Sequence, residues 1–323
     1  MNKHSLQPVI PLIGDFSEQM QGLWLQQLSL AMPEFKVVFW DGLSEQEKSR
    51  VEVAVVTNIQ PERIKQYPNL KWVQSLWAGV ETLLPAIQDL NLKVVRMNDP
   101  QLAQSMSDSV LLWTLYLHQQ AHVYRQQQNI ALWQQSPTSL FTLLPHATRV
   151  GILGLGNLGK VAANRLKDNG FTVQGWSRTA KSLPGIPTYS GDTGLQQLLS
   201  TSDILVVLLP LTHSTRYLLN QQRLQMLPDG AAVINFARGA IIPEPDLLQC
   251  LNNGKLSHAV LDVFEQEPLP SNSPLWQHPN ITVLPHISAQ TNPVTASKVV
   301  AKNIKPYFQN GEIPEYIDVL KGY

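Results

Sequence analysis

Short apolar runs bounded by polar stretches recur through the first hundred residues: VIPLI at 9–13, KVVFW at 36–40, VAVVT at 53–57, WVQSL at 72–76 and KVVRM at 93–97. The segments between them are polar or amphipathic and several are long enough for a helix, so the pattern predicts a parallel sheet of alternating strands and helices. From Gln101 to Trp133 the chain lacks Gly and Pro and places Leu102, Met106, Val110, Trp113 and Leu117 at helical spacing. That spacing predicts one long connecting helix. A second alternating series starts at Arg149: RVGILGLG, FTVQGW, DILVVLL, AAVINFA, HAVLDVF and ITVLPHI. These runs are apolar on both faces, as a sheet covered by helices on both sides requires. One more helix is expected over 293–308. The Gln-rich run QQAHVYRQQQ at 119–128 reads as a solvated helix face.

At 323 residues the chain exceeds the size of one ordinary core, so two domains are expected. Lys plus Arg equals Asp plus Glu at 24 each, which leaves no basic excess for a nucleic acid or an anionic membrane. No run approaches the roughly 18 apolar residues of a membrane span, and a cytoplasmic protein is expected. Cys250 is the only cysteine. It excludes an intrachain disulfide and reads as a packing residue, and no metal site is expected.

Chemistry enters with Gly154-Leu155-Gly156-Asn157-Leu158-Gly159, which follows an apolar strand and opens a helical run. In that context the first glycine permits a tight turn, the second lets backbone approach a pyrophosphate, and the third lets helix and strand pack closely. The helix N-terminus supplies N–H groups and a positive dipole for the anion. Some 20 residues further on, where an NAD-binding domain carries an acidic residue, the strand ends in Ser177-Arg178-Thr179. A carboxylate would repel the additional phosphate of NADP, whereas a hydroxyl and a guanidinium can bind it, so NADP(H) is the expected cofactor. Lys181 is placed to add charge.

Three further segments at strand ends carry reactive side chains: NFARG with Arg238, DVFEQEP with Glu267, and LPHISAQ with His286. In open parallel sheets ligands bind beyond the carboxyl ends of the strands, where such residues can converge. Arg238 can grip a carboxylate with two parallel hydrogen bonds, His286 can donate a proton as hydride arrives, and Glu267 can orient the imidazole and favour its charged form. Together they suit reduction of a small 2-keto acid. The remaining histidines, His4, His118, His122, His146, His213, His258 and His278, lack a motif and read as surface or packing residues.

The stretches SLWAGV, GILGLGNLG, GWSRTAKSLPG, LLPLT, NFARG, LDVFEQEPLP, PLWQHP and LPHISA occur in order along most of the chain. On them the sequence resembles the D-isomer-specific 2-hydroxyacid dehydrogenases, most closely their glyoxylate/hydroxypyruvate reductase A branch. The resemblance implies a Rossmann-type cofactor domain, 100–289, inserted into a flavodoxin-like substrate domain, 1–99 with 290–323, both doubly wound parallel α/β sheets. It puts Arg238, Glu267 and His286 in the roles just derived and Asp262 near the nicotinamide carboxamide. It also makes Trp77-Ala78-Gly79-Val80 a backbone cradle for the substrate carboxylate. Many relatives have Gly where Trp77 stands and Asp where Glu81 stands, so the indole either narrows the pocket or packs away from it. The resemblance further implies a D product and a homodimer built through the region after Gln101, with Trp113 and Trp133 as interface candidates. Two alternatives stay open: a sister dehydrogenase for another small acid, and a binding protein that senses the dinucleotide without turnover.

Overall fold

The structure, a computed structural model, describes residues 7–57, 60–135 and 144–317; His4 lies outside them. Two compact units divide the chain, one formed by residues 1–101 with 291–323 and the other by residues 102–290.

Five strands build the first unit: β1 (Val9–Ile13), β2 (Lys36–Phe39), β3 (Val53–Val56), β4 (Trp72–Ser75) and β5 (Lys93–Val95). Their order is β2-β1-β3-β4-β5 with every pair parallel, the flavodoxin-like winding. Both faces of β1 are buried, which explains its unbroken apolar run. Ile10 and Leu12 face a core with Trp24, Leu28 and Trp72, while Val9 and Ile13 face another with Ala54, Leu83 and Ile87. The helix Pro293–Asn310 closes the first of these cores through Ala296, Val300 and Ile304.

The second unit holds β6 (Arg149–Leu153), β7 (Thr172–Trp176), β8 (Thr188–Tyr189), β9 (Ile204–Val207), β10 (Ala231–Asn235), β11 (Leu256–Leu261) and β12 (Ile281–Val283). Their order, β12-β11-β10-β9-β6-β7-β8, is parallel throughout and reverses direction between β6 and β9. This is a dinucleotide-fold winding with one added strand, and its switch point is where such sheets bind ligands. Alternate residues again serve two cores: Ile204 and Val206 pack with Val150 and Ile152, Leu205 and Val207 with Leu153 and Val233.

The single helix expected from Gln101 to Trp133 is instead two, Pro100–His118 and Ala121–Asn129, with Trp133 beyond both. Gln120 between them is left-handed at φ 55°. A non-glycine residue there costs about 1–2 kcal/mol. The turn lets His122 stack on His258 of β11 at 4.4 Å between ring centroids, and Gln126 donates to the Pro279 carbonyl at 2.6 Å. No residue of the second helix is fully buried, as its Gln-rich sequence predicts. His258 is buried, its Nε2 paired with Thr282 Oγ1 at 2.9 Å. The Nδ1 atoms of His122 and His258 are buried with no hydrogen-bond partner. Burial, and then the neighbouring His122 and His278, push the His258 pKa down to about 3. Burial also lowers those of His122 and His278.

Candidate active site

At the switch point the glycine loop follows β6 directly. Gly154 is left-handed at φ 107°, and a Cβ there would lie 2.6 Å from the Leu208 carbonyl oxygen. A Cβ on Gly159 would come within 1.8 Å of the Gly154 carbonyl oxygen, so the helix Asn157–Asp168 can sit this close to β6 only with glycine. Gly156 differs, because a Cβ there would meet nothing within 4 Å. The space over Gly156 is therefore open, and its neighbours in the loop are closed. Gly156 is the N-cap of the helix and supplies no side-chain cap to the first turn, which holds Asn157, Leu158 and Gly159. An open cradle at a helix N-terminus without a side-chain cap fits a phosphate.

Beyond β7, Ser177 is buried and its hydroxyl donates to the Thr179 carbonyl at 2.7 Å, pinning the turn that presents Arg178 to solvent. Lys181 donates from Nζ to the Leu155 carbonyl at 2.9 Å, which brings a cation to the glycine loop. Burial and the nearby Lys160 lower its pKa. The Arg178 guanidinium and the Lys181 ammonium both belong to the segment after β7, and Lys181 reaches back from it to the glycine loop.

The catalytic candidates leave the neighbouring strands β10, β11 and β12. Arg238 is half-buried in extended backbone after β10, and its Nη1 donates to the Ala237 carbonyl at 2.6 Å. Gly239 follows, and a Cβ on it would lie 2.0 Å from the carbonyl carbon of Phe264. The Arg238 loop thus rests directly on the segment that carries Glu267. Glu267 divides its carboxylate: Oε1 accepts from the Phe264 N–H at 2.9 Å and Oε2 meets His286 Nδ1 at 2.7 Å. Because an ionised carboxylate only accepts, Nδ1 carries the proton of that bond, and Nε2 is the ring atom left to exchange a proton. The side chains of His286 and Glu267 are 51% and 34% exposed, so the pair is open to solvent and to a small substrate.

His286 has φ 54°, a left-handed conformation of about 1–3 kcal/mol cost. Asp262, buried at the end of β11, holds that turn, its two oxygens accepting from the N–H groups of Ile287 at 2.7 Å and Ser288 at 2.9 Å. The Ser109 hydroxyl, from the helix Pro100–His118, donates to the Ser288 carbonyl. The carboxylate placed beside the nicotinamide by resemblance is thus also a backbone clamp on the histidine turn. No motif in the sequence signals that second role.

In the first unit, Trp77 follows β4. Its N–H donates to Ser75 Oγ at 3.0 Å, and its carbonyl accepts from the Met97 N–H at 3.1 Å. The indole stands edge-on to Trp24, 6.5 Å between centroids, and packs partly into the core. Ala78 and Gly79 are half-exposed. Among the described residues there is no group of three or more His, Cys, Asp or Glu side chains suited to a metal, and no helix is long and apolar enough to cross a membrane.

A family profile described as D-isomer specific 2-hydroxyacid dehydrogenase, NAD binding domain, matches residues 111–288. Among solved structures, the chain is similar to a D-isomer specific 2-hydroxyacid dehydrogenase from Xanthobacter autotrophicus Py2 in complex with NADPH and MES. They share 35% identity over 98% of this chain and 100% of that one, with a TM-score of 0.91. An NADPH-dependent glyoxylate/hydroxypyruvate reductase from Sinorhizobium meliloti, in complex with NADP and sulfate, is 31% identical over 98% and 99% of the two chains, with a TM-score of 0.89. A probable 2-hydroxyacid dehydrogenase from Rhizobium etli CFN 42, in complex with NADP, HEPES and L(+)-tartaric acid, is 30% identical over 98% and 99%, with a TM-score of 0.87.

Proposed function

The chain belongs to the D-isomer specific 2-hydroxyacid dehydrogenase family, and we propose that it reduces glyoxylate, hydroxypyruvate or a similarly small 2-keto acid with NADP(H). The observation that carries this reading is the 2.7 Å bond from His286 Nδ1 to Glu267, beside the loop of Arg238. The unit of residues 102–290 is the dinucleotide-binding domain in this reading, and the unit of residues 1–101 with 291–323 is the substrate domain.

When bound, the nicotinamide supplies a hydride to the carbonyl carbon. Arg238 holds the substrate carboxylate with two parallel N–H donors. His286 gives the Nε2 proton to the carbonyl oxygen, and Glu267, bonded at Nδ1, balances the imidazolium charge before transfer and fixes the ring's orientation. Asp262 keeps the histidine turn in its left-handed conformation and has the carboxamide as its second proposed contact. Gly154, Gly156, Asn157, Leu158 and Gly159 hold the pyrophosphate, and the turn Ser177-Arg178-Thr179 receives the additional phosphate of NADP(H). The Trp77, Ala78 and Gly79 backbone serves the substrate carboxylate, a role that rests on family resemblance, while the indole packs beside Trp24. A sister activity on another small acid remains a testable alternative.

NADPH oxidation followed at 340 nm with glyoxylate and with hydroxypyruvate tests the reading directly. Tight NADPH binding without turnover of either acid would favour the sensing alternative. The cofactor preference has its own check. Arg178→Ala is expected to raise the Michaelis constant for NADPH and leave that for NADH nearly unchanged, because only NADPH carries the extra phosphate. Equal losses for both cofactors would remove Arg178 from that role.

We also propose a homodimer. Its support is the exposure of Trp133 at 99% and Ile130 at 72%, an apolar pair next to the helix Ala121–Asn129. Trp113 already packs within its own subunit against Tyr116 and is the weaker interface candidate. Sedimentation as a monomer at micromolar concentration would contradict the assembly.

A further inference from the structure

The loop that presents Arg238 begins at Asn235, the last residue of β10 and almost wholly buried at 1% exposure. A buried amide needs partners, and Asn235 spends both ends of its side chain on this loop. Its Oδ1 accepts from the Ala237 N–H at 3.1 Å, and its Nδ2 donates to the Arg238 carbonyl at 3.0 Å. The two contacts bracket the peptide unit between Ala237 and Arg238. The carbonyl of that unit, on Ala237, accepts from the Arg238 guanidinium at 2.6 Å. The Asn235 backbone carbonyl in turn accepts from the Asp262 N–H at 3.1 Å, tying the start of the Arg238 loop to the residue that clamps the His286 turn. Gly239, next in the chain, rests against the backbone of Phe264 and Glu265.

From this bracket we propose that Asn235 is the positioning residue of Arg238, setting through the Ala237 carbonyl the direction in which the guanidinium meets a substrate carboxylate. The proposal rests on the reading of Arg238 as the substrate-binding group. Asn235→Asp tests it with little change of shape, since it replaces the Nδ2 donor by an oxygen facing the Arg238 carbonyl. The catalytic efficiency for the keto acid should fall about tenfold or more, the scale of a lost buried hydrogen bond. The dissociation constant for NADPH, read from nicotinamide fluorescence, should stay within about twofold, because no contact of the bracket involves the glycine loop. In an Arg238→Ala background the same substitution should change the efficiency by less than about twofold, because a residue that acts through Arg238 has nothing left to position. A merely structural residue would lose as much in both backgrounds. That result, or a parallel weakening of NADPH binding, would overturn the proposal. Should Asn235→Asp fail to fold, Asn235→Ser, which shortens the side chain and breaks the same bracket, carries the comparison.

The affinity of the NADPH-loaded protein for oxamate, a keto-acid analogue with a carboxylate, separates this proposal from the functional reading. If oxamate binds but no keto acid turns over, the functional reading fails. Asn235 is then judged by whether oxamate affinity drops in the single variant and not in the Arg238→Ala background. If oxamate does not bind and nothing turns over, both fail.

Discussion

His286→Ala is expected to lower turnover about 10²- to 10⁴-fold, the usual contribution of a positioned acid-base group. Binding of NADPH should survive, since the imidazole contacts Glu267 and is not part of the glycine loop. Reduction needs the imidazolium as donor and oxidation of the hydroxy acid needs the neutral ring as base. Turnover should therefore fall with rising pH in the first direction and rise in the second. Glu267→Gln sharpens the test. The amide oxygen can still accept from Nδ1, but the negative charge that balances the imidazolium is gone, and reduction should slow without loss of NADPH binding. Stopped-flow hydride transfer over a pH series measures this. Near-normal turnover in His286→Ala with an unchanged profile would assign the proton to another donor.

Acidification is expected to loosen the β11–β12 side of the second unit. His258 titrates near 6.5 in an unfolded chain and at about 3 when folded, so the native state binds fewer protons between those values. Its contribution to stability is complete above about pH 6.5 and is lost as pH falls toward 3, at about 1.4 kcal/mol for each pH unit while only the unfolded state is protonated. His122 is shifted in the same direction by burial and adds to the loss. Amide hydrogen exchange in Leu256–Leu261 and Ile281–Val283 should accelerate on going from pH 7 to pH 5, after correction for the intrinsic pH dependence of exchange. His258→Leu should flatten that dependence. Equal acid sensitivity in the variant would mean that other groups carry it.

How much of this was legible from the chain alone depends on which force places each element. The strands stood out because both faces of each sheet are buried, so consecutive residues such as Leu205 and Val206, which face different cores, are both apolar and the run is unbroken. Gly154 and Gly159 stood out because close backbone approach leaves no room for a Cβ. The helix break at Gln120 left no mark, since glutamine is an ordinary helix former and the contact that the turn permits, His122 on His258, joins residues far apart in sequence. The two-residue strand β8 was too short to show a period. Arg238, Glu267 and His286 could be picked out by chemical type, and the last two meet at 2.7 Å. The bracket made by Asn235 and the clamp made by Asp262 depend on which backbone group each buried side chain meets, and side-chain type does not encode that.

The first unit is assembled from chain ends separated by the whole second unit, and this bears on how the protein emerges from a ribosome. The face formed by Trp24, Leu28 and Trp72 is completed by Ala296, Val300 and Ile304 of the helix Pro293–Asn310. The roughly 190 intervening residues take about 10–40 s to make at bacterial and eukaryotic rates of about 5–20 residues per second. For that interval this face of the nascent sheet has the helix Glu18–Ala31 over it, with Trp24 and Leu28, but not its second helix. The part that the helix Pro293–Asn310 will cover stays an apolar surface of the kind chaperones hold, while the second unit, continuous in the chain, can fold as soon as it is out. Translation order and folding order are therefore reversed for the two halves of this molecule: the half that starts first finishes last.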